Sequence, residues 1–286
     1  MISFFQAAVL GALQGVTELF PISSLGHSVV LPTLFGWDIH QNDPFFLTFL
    51  VATHLATAIV LFLFFFQDWM RIFRGLGRSL RDREIAPDDT DAKLGWLLVM
   101  GSIPAGVIGV LLEKPLRSLF ASPTSAAIFI AINGVLLLGA ERLRKRAPEV
   151  ATEDGSDQRI ARRLTWGNAF GIGAAQALAL IPGISRSGAT MGGGLLAGLS
   201  NEDAARFSFL LATPIIGAAA ILKIPELFGS QGDGLRGAAI VGALFAAGAA
   251  WLAVKFLLRF FETNRLTPFG IYCIIFGITT AFIVAT

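Results

Sequence analysis

Six stretches of this chain are almost wholly apolar, at residues 45–66, 94–112, 126–140, 207–224, 238–258 and 268–285. Each is close to or above the roughly 20 residues a helix needs to cross the hydrocarbon of a bilayer. They predict six transmembrane helices. Two more apolar segments, from Met1 to about Trp37 and from Trp166 to about Leu199, are interrupted in the middle by Pro, Gly and Ser. Each is long enough for two half-length helices meeting at a polar tip, Pro21-Ile22-Ser23-Ser24 in one and Pro182-Gly183-Ile184-Ser185 in the other. These read as re-entrant hairpins, and irregular backbone at membrane depth is tolerated only where it is buried in protein or lines a wet cavity. The segment from Trp69 to Arg83 alternates apolar and basic residues instead, which predicts an amphipathic helix on the inner leaflet, against anionic lipid.

Composition points the same way. The 286 residues are 54% hydrophobic and only 15% charged, with 25 Phe, which suits lipid better than water as the solvent. The single cysteine, Cys273, lies in the last apolar run, so no disulfide framework exists and the residue reads as lipid-facing or packing. The first 20 residues carry no Lys or Arg ahead of their apolar run and hold Gln14 and Glu18 within it, so no cleaved signal is expected. A net charge of +2, with Lys and Arg mostly between the apolar runs, gives no nucleic-acid surface.

The most polar stretch, residues 142–163, divides the chain into two halves that resemble each other. A shift of 162 positions pairs Ala7 with Ala169, Gly11 with Gly173, Gln14 with Gln176, Ser23 with Ser185 and Gly26 with Gly188, while Pro21 and Pro182 miss register by one. A shift of 160 sets Thr48-Phe49-Leu50-Val51-Ala52-Thr53 against Ser208-Phe209-Leu210-Leu211-Ala212-Thr213. The chain is therefore expected to be an all-α integral membrane protein with six transmembrane helices and two re-entrant hairpins in two repeats. The boundaries are 1–142 for the first repeat, 143–165 for a cytoplasmic linker and 166–286 for the second repeat. Three spans per half is an odd number, so the repeats should have inverted topology. This arrangement puts 17 basic residues on one face and four on the other, and the positive-inside rule places the richer face in the cytoplasm and both termini outside.

The polar residues of the hairpins carry the chemistry. Gln14 and Glu18 are four apart and share a helical face, and Glu18 is a costly acid in apolar surroundings. Ser24 and His27 are three apart after the first tip, with Ser23 beside them, a spacing that suits a nucleophile and a base. In the second hairpin Arg186 is the one Arg or Lys assigned to the membrane interior, flanked by Ser185, Ser187 and Thr190 and followed by three glycines. A guanidinium fork, hydroxyl donors and the N-terminus of a helix form an anion receptor. The alternative reading for Glu18 and Arg186 is a structural ion pair across the repeats. For the hydroxyls of Ser23, Ser187 and Thr190, each taken singly, the alternative is that they only cap half-helices. His54 and Asn133 read as interhelical hydrogen-bond partners, Gln176 as a supporting hydrogen-bonder, Lys223 as snorkelling outward and His40 as a loop residue without a role.

The sequences Gln14-Gly-Val-Thr-Glu18-Leu-Phe-Pro21-Ile-Ser23-Ser24-Leu-Gly-His27 and Pro182-Gly-Ile-Ser185-Arg186-Ser187-Gly-Ala-Thr190 resemble the two signatures of the undecaprenyl-diphosphatase family of the bacitracin-resistance type. The stretch from Ala205 to Pro214 is also similar to that family. The resemblance implies a bacterial inner-membrane enzyme that hydrolyses undecaprenyl diphosphate to the monophosphate and inorganic phosphate, recycling the carrier lipid for cell-wall synthesis. It also implies dependence on Mg2+ or Ca2+, a site opening toward the periplasm, and contact with membrane lipids. The same resemblance assigns catalysis to Glu18, Ser24, His27 and Arg186, substrate binding to Gln14, Ser23, Ser185, Ser187 and Thr190, and the cation to Glu18 and Gln14. Position 14 is Gln where many members have Glu, so it brings no charge to a metal. A homodimer is compatible with this reading.

In the expected mechanism Arg186 and a cation neutralise the diphosphate while Ser24, deprotonated through His27 or Glu18, attacks the terminal phosphorus. Attack by water or by His27 itself is an alternative. The competing function is a lipid flippase or other transporter, since inverted repeats with broken helices at the midplane are a common transporter plan. Transport needs no nucleophile, so the cluster of Ser24, His27 and Glu18 favours an enzyme.

Overall fold

A computed structural model describes residues 2–39, 44–119, 122–144, 155–228 and 236–285. His40 and most of the polar linker, residues 145–154, lie outside the described residues, as does the side chain of Lys223. All regular structure among the described residues is helical. The first hairpin is α1 (Phe4–Leu19) and α2 (Ser24–Leu34), followed by α3 (Pro44–Phe64), α4 (Phe66–Asp82), α5 (Thr90–Leu119) and α6 (Pro123–Leu143). A short helix α7 (Ser156–Arg163) precedes the second hairpin, α8 (Trp166–Ala177) and α9 (Arg186–Leu196), and α10 (Asn201–Phe228), α11 (Arg236–Thr263) and α12 (Thr267–Ala285) complete the chain.

Five of these helices are long and apolar enough to cross a membrane, and six are when α3 and α4, bent by 78° at their junction, count as one span. The chain is a multi-pass membrane protein. The bend gives α4 its role. It leaves the direction of α3 at Phe65 and packs Trp69, Ile72, Gly75 and Ser79 inward while Arg71, Arg74, Arg78 and Arg81 stay exposed. The amphipathic helix expected from Trp69 to Arg83 is therefore formed. Its C-cap, Arg83, has φ 54°, and Arg78 closes the turn to α5 with two hydrogen bonds to Asp89 of 2.8 and 2.9 Å.

Both hairpins break where the sequence placed polar tips, and the two starts are built alike. Ser23 caps α2 by accepting from the Gly26 amide at 3.2 Å, and Ser185 caps α9 by accepting from the Gly188 amide at 3.1 Å. These are the same paired positions of the sequence repeat, and they satisfy helix donors that would otherwise be orphaned in a nonaqueous setting.

The packing partners exchange in the same way. Helix α1 lies against α11 as α8 lies against α5, while α3 packs on α10 and α6 on α12. The close approaches of α1 and α8 are built on glycine. A Cβ at Gly11 would stand 2.2 Å from the Gly242 carbonyl oxygen, and one at Gly173 would stand 2.1 Å from the Gly101 carbonyl oxygen. Small residues let helix backbones touch, which is the usual source of helix association where lipid supplies no hydrophobic drive. The tip of the second hairpin needs glycine for a different reason. Gly183 has φ +98°, and a side chain there would also meet the Ala126 carbonyl at 2.4 Å.

On the side of the short helix α7, ion pairs fasten it to its neighbours. Asp157 accepts from Arg206 at 2.5 and 3.0 Å and from Arg71 at 2.8 Å, and Arg206 also reaches Asp68 at 2.9 Å while lying over the Phe65 ring. Asp203 is held by Arg159 at 2.7 and 3.1 Å and by Ser156. Arg206 thus ties α4, α7 and α10 together at the bend, far in role from the hairpin tips.

Candidate active site

The two tips interlock through one residue of α6. The Asn133 amide donates to the Pro21 carbonyl at 3.0 Å and accepts from the Ser185 amide at 3.0 Å, so one side chain joins both hairpins. The Ser187 hydroxyl donates to the Phe20 carbonyl at 3.0 Å from the other side. Asn133 is the interhelical hydrogen-bond partner that the sequence reading expected. Cys273 is buried against it at 3.5 Å and packs, rather than facing lipid.

This junction brings Glu18 and Arg186 together from the ends of α1 and α9. Arg186 Nε and Nη2 each donate to Glu18 Oε1 at 3.3 Å. The other oxygen, Oε2, collects three groups. The Ser24 hydroxyl donates to it at 2.5 Å, Gln14 Nε2 donates at 3.0 Å, and His54 Nε2 lies 3.4 Å away. Glu18, Gln14 and Ser24 are buried, and His54 is the most open of the group with 26% of its side chain exposed. An apolar interior makes unpaired charge costly. Here the carboxylate is balanced by the guanidinium on one oxygen, with the imidazole near the other.

The balance leaves capacity unused. Arg186 Nη1 and Gln14 Oε1 are buried with no hydrogen-bond partner among the described residues. A donor fork with a free arm at the start of α9, beside the start of α2, is suited to an anion that brings its own oxygens. The free Gln14 oxygen is an acceptor, which suits a cation or a donor.

The remaining predicted residues have other partners. His27 does not reach Ser24. Its Nδ1 lies 2.7 Å from the Ser23 carbonyl oxygen and its Nε2 lies 2.9 Å from the Tyr272 hydroxyl, with the ring stacked on Phe276. The Ser185 and Ser187 hydroxyls are 3.0 Å apart, and Thr190 bonds to the Arg186 and Ser187 carbonyls and to Ser208 at 2.6 Å. These hydroxyls of the second motif, with Ser23 as a cap, are engaged in holding the tips. Gln176 departs from its expected supporting role, because both of its buried amide atoms lack partners among the described residues. Its repeat partner Gln14 finds Glu18 four residues on, but the corresponding position in the second half is Leu180.

The sequence reading took His54 for an interhelical hydrogen-bond partner and gave it no place at the site, whereas its partner is the site carboxylate. His54 stands in the middle of an apolar span, where a lone imidazole reads equally well as packing. The available signal was that a second titratable group so deep requires a partner, and Glu18 was the uncompensated acid.

The profile of the family described as bacitracin resistance protein BacA matches residues 7–279 of this chain. The chain belongs to that family. Curated BacA relatives extend over almost the same length. The undecaprenyl-diphosphatase of Mycolicibacterium paratuberculosis is 48% identical, with 96% of this chain and 95% of the relative covered. Undecaprenyl-diphosphatase 2 of Frankia alni is 43% identical, with 96% of each chain covered. The undecaprenyl-diphosphatase of Granulibacter bethesdensis is 45% identical, with 96% of this chain and 94% of the relative covered. All three BacA motifs quoted from the sequence fall within the matched span.

The family resemblance also implies a divalent cation, which can be tested against the donors present. Among the described residues no group of three His, Cys, Asp or Glu side chains is gathered to hold a metal. The site does offer the Glu18 carboxylate and the orphaned Gln14 Oε1, both hard oxygen donors. That set fits a cation that takes its other ligands from phosphate and water, as Mg2+ commonly does, and not a cation caged by protein alone.

Proposed function

We propose that this protein hydrolyses undecaprenyl diphosphate to undecaprenyl phosphate and inorganic phosphate, recycling the carrier lipid for cell-wall synthesis and thereby conferring bacitracin resistance. The observation that carries the reading is the short hydrogen bond from the Ser24 hydroxyl to Glu18 Oε2, with Arg186 on the other oxygen of the same carboxylate. A carboxylate poised to take the hydroxyl proton, next to a cation with a free arm, is what attack on a phosphate requires. The names of the BacA relatives supply the substrate.

In the proposed reaction Arg186, at the start of α9, receives the terminal phosphate through its free Nη1. The Ser24 oxygen attacks the terminal phosphorus as its proton passes to Glu18, and the bond from that phosphorus to the bridging oxygen breaks. Undecaprenyl phosphate leaves with the bridging oxygen; water then adds its oxygen to the phosphorus of the phosphoserine as the bond to Ser24 breaks, Glu18 returns its proton to the Ser24 oxygen, and inorganic phosphate leaves with the protons of the water. Glu18 and Gln14 are the residues that would hold a divalent cation, and the bound ion supplies charge neutralisation on the phosphate oxygens. Positioning and charge neutralisation account for most of the rate in phosphoryl transfer.

The site opens toward the periplasm on the inverted-repeat reading, which the exchange of packing partners between the halves supports. The test against a flippase is phosphate release from undecaprenyl diphosphate by the purified protein in detergent, where no membrane separates two sides. Release that is lost in Ser24→Ala supports the enzyme. A well-folded protein that binds the lipid diphosphate but releases no phosphate would point to a carrier.

A further inference from the structure

The chain has 25 phenylalanines and a single tyrosine, Tyr272, whose hydroxyl is the one polar atom that distinguishes it from its many neighbours of the same shape. It sits on α12, in the second half, and meets His27 of the first hairpin. The contacts of the ring constrain the state of the imidazole. A carbonyl only accepts, so the 2.7 Å contact with the Ser23 oxygen puts a proton on His27 Nδ1. In the neutral ring Nε2 is then bare, and the Tyr272 hydroxyl at 2.9 Å donates to it. Both nitrogens are committed, and neither faces Ser24.

What His27 holds in this state is the backbone of Ser23. The Ser23 carbonyl receives two bonds from the same residue, from Nδ1 at 2.7 Å and from the His27 amide at 3.2 Å. Ser23 has φ 75° and ψ 98°, a left-handed conformation that a residue with a Cβ adopts only when its surroundings enforce it. The peptide so held leads directly into Ser24, whose hydroxyl must point at Glu18. The ring has little freedom to turn, with Phe276 stacked at 4.6 Å and Tyr272 at 5.8 Å between centroids.

We propose that Tyr272 is a positioning residue for the reaction: through its hydrogen bond it locks His27 as the Nδ1-protonated clamp on the strained Ser23 peptide, and so aims Ser24. On this assignment His27 acts through Ser23 and is not the base that deprotonates Ser24. The link also makes the nucleophile of the first half depend on the last helix of the second. The inference rests on the phosphatase reading for its effect on turnover, but the hydrogen bond itself can be read without substrate.

The experiment compares the full-length protein with Tyr272→Phe, which keeps the ring and its stacking and removes only the donor. Imidazole nitrogens are observed by 15N NMR in detergent micelles, with His27 assigned by elimination in His40→Gln and His54→Gln proteins. Expected are a protonated Nδ1 in both proteins and an Nε2 resonance that moves, in the Phe variant, toward that of a nitrogen receiving no hydrogen bond. In phosphate release the Phe variant should lose about fivefold to tenfold in kcat with KM within about twofold, the scale of one neutral hydrogen bond. Tyr272→Leu, which also removes the stack, should lose more. An unchanged Nε2 resonance in the Phe variant, or a wild-type kcat beside a shifted one, overturns the proposal. If no variant or wild-type protein releases phosphate, the phosphatase reading fails, while the nitrogen spectrum still decides whether Tyr272 holds His27.

Discussion

At the scale of single residues, the site is one carboxylate with a different duty on each oxygen. Glu18 Oε1 faces Arg186 and Oε2 accepts the Ser24 hydrogen bond, so removing either side alters the other. Groups that serve one step do not add their losses. Ser24→Ala and Glu18→Gln should each cut phosphate release by about a hundredfold or more, the usual worth of a positioned nucleophile or base, and the double variant should be little worse than the poorer single one. Arg186→Lys should lose most activity while folding, because a point charge replaces the planar fork. The check is turnover in detergent for variants of matched yield, and multiplied losses in the double variant would separate Ser24 from Glu18. Four of the residues that meet here, Gln14, Glu18, Ser24 and Arg186, could be named from sequence because polar groups in apolar runs are conspicuous. His54 was read only as an interhelical hydrogen-bond partner and Tyr272 was not singled out, since a lone imidazole or ring hydroxyl in a span has many ordinary uses.

At the scale of helices, the repeat is written in glycine and serine. Gly11 and Gly173 occupy matching positions, and each presses its helix on a backbone carbonyl of the opposite half. Substitution by Ala places a methyl group about 2 Å from that oxygen, so the helices have to part. Gly173→Ala and Gly11→Ala should therefore each destabilise the folded protein by about 1–3 kcal/mol, in the range of overpacked cores. Gly171 sits on the same helix as Gly173 with nothing within 4 Å of its would-be Cβ. Gly171→Ala should be neutral or slightly stabilising, since Ala is the better helix former. Thermal denaturation in detergent checks the contrast, and equal effects at 171 and 173 would remove the close packing as the reason. The break between α1 and α2 was legible because Pro21 and the polar pair Ser23 and Ser24 interrupt an otherwise apolar run. A turn near Phe65 was legible as well, because an apolar span gives way there to an amphipathic segment, and tertiary contact, including Arg206 over the Phe65 ring, holds it.

At the scale of the whole molecule, the exchange of partners between halves relates α1 on α11 to α8 on α5. With 17 basic residues predicted on one face and four on the other, the chain should place the ion-paired face of α4 and α7 in the cytoplasm and both termini outside. Single cysteines introduced at exposed positions in a Cys273→Ala background test this. Arg162→Cys should react with a membrane-impermeant reagent only after permeabilisation, and Ser3→Cys should react in intact cells. The opposite pattern at either position would refute the inverted arrangement.

The sequence by itself determined that this chain lives in lipid, that it has about six spans and two broken hairpins, and that an acid and an arginine lie at their tips. Those features follow from local energetics: the cost of exposing apolar residues to water, of breaking a helix in hydrocarbon and of burying charge alone. Only the tertiary structure decided which groups meet. Ser24 and His27, three apart in sequence, diverge because α2 starts from the left-handed Ser23, which sends the hydroxyl to Glu18 and the imidazole back onto its own turn and out to Tyr272. His54, from α3, and Arg186, from the other half, arrive at the carboxylate by packing alone. Spacing along one helix fixes what lies on a face, but the partners of that face are chosen by the helices that pack against it.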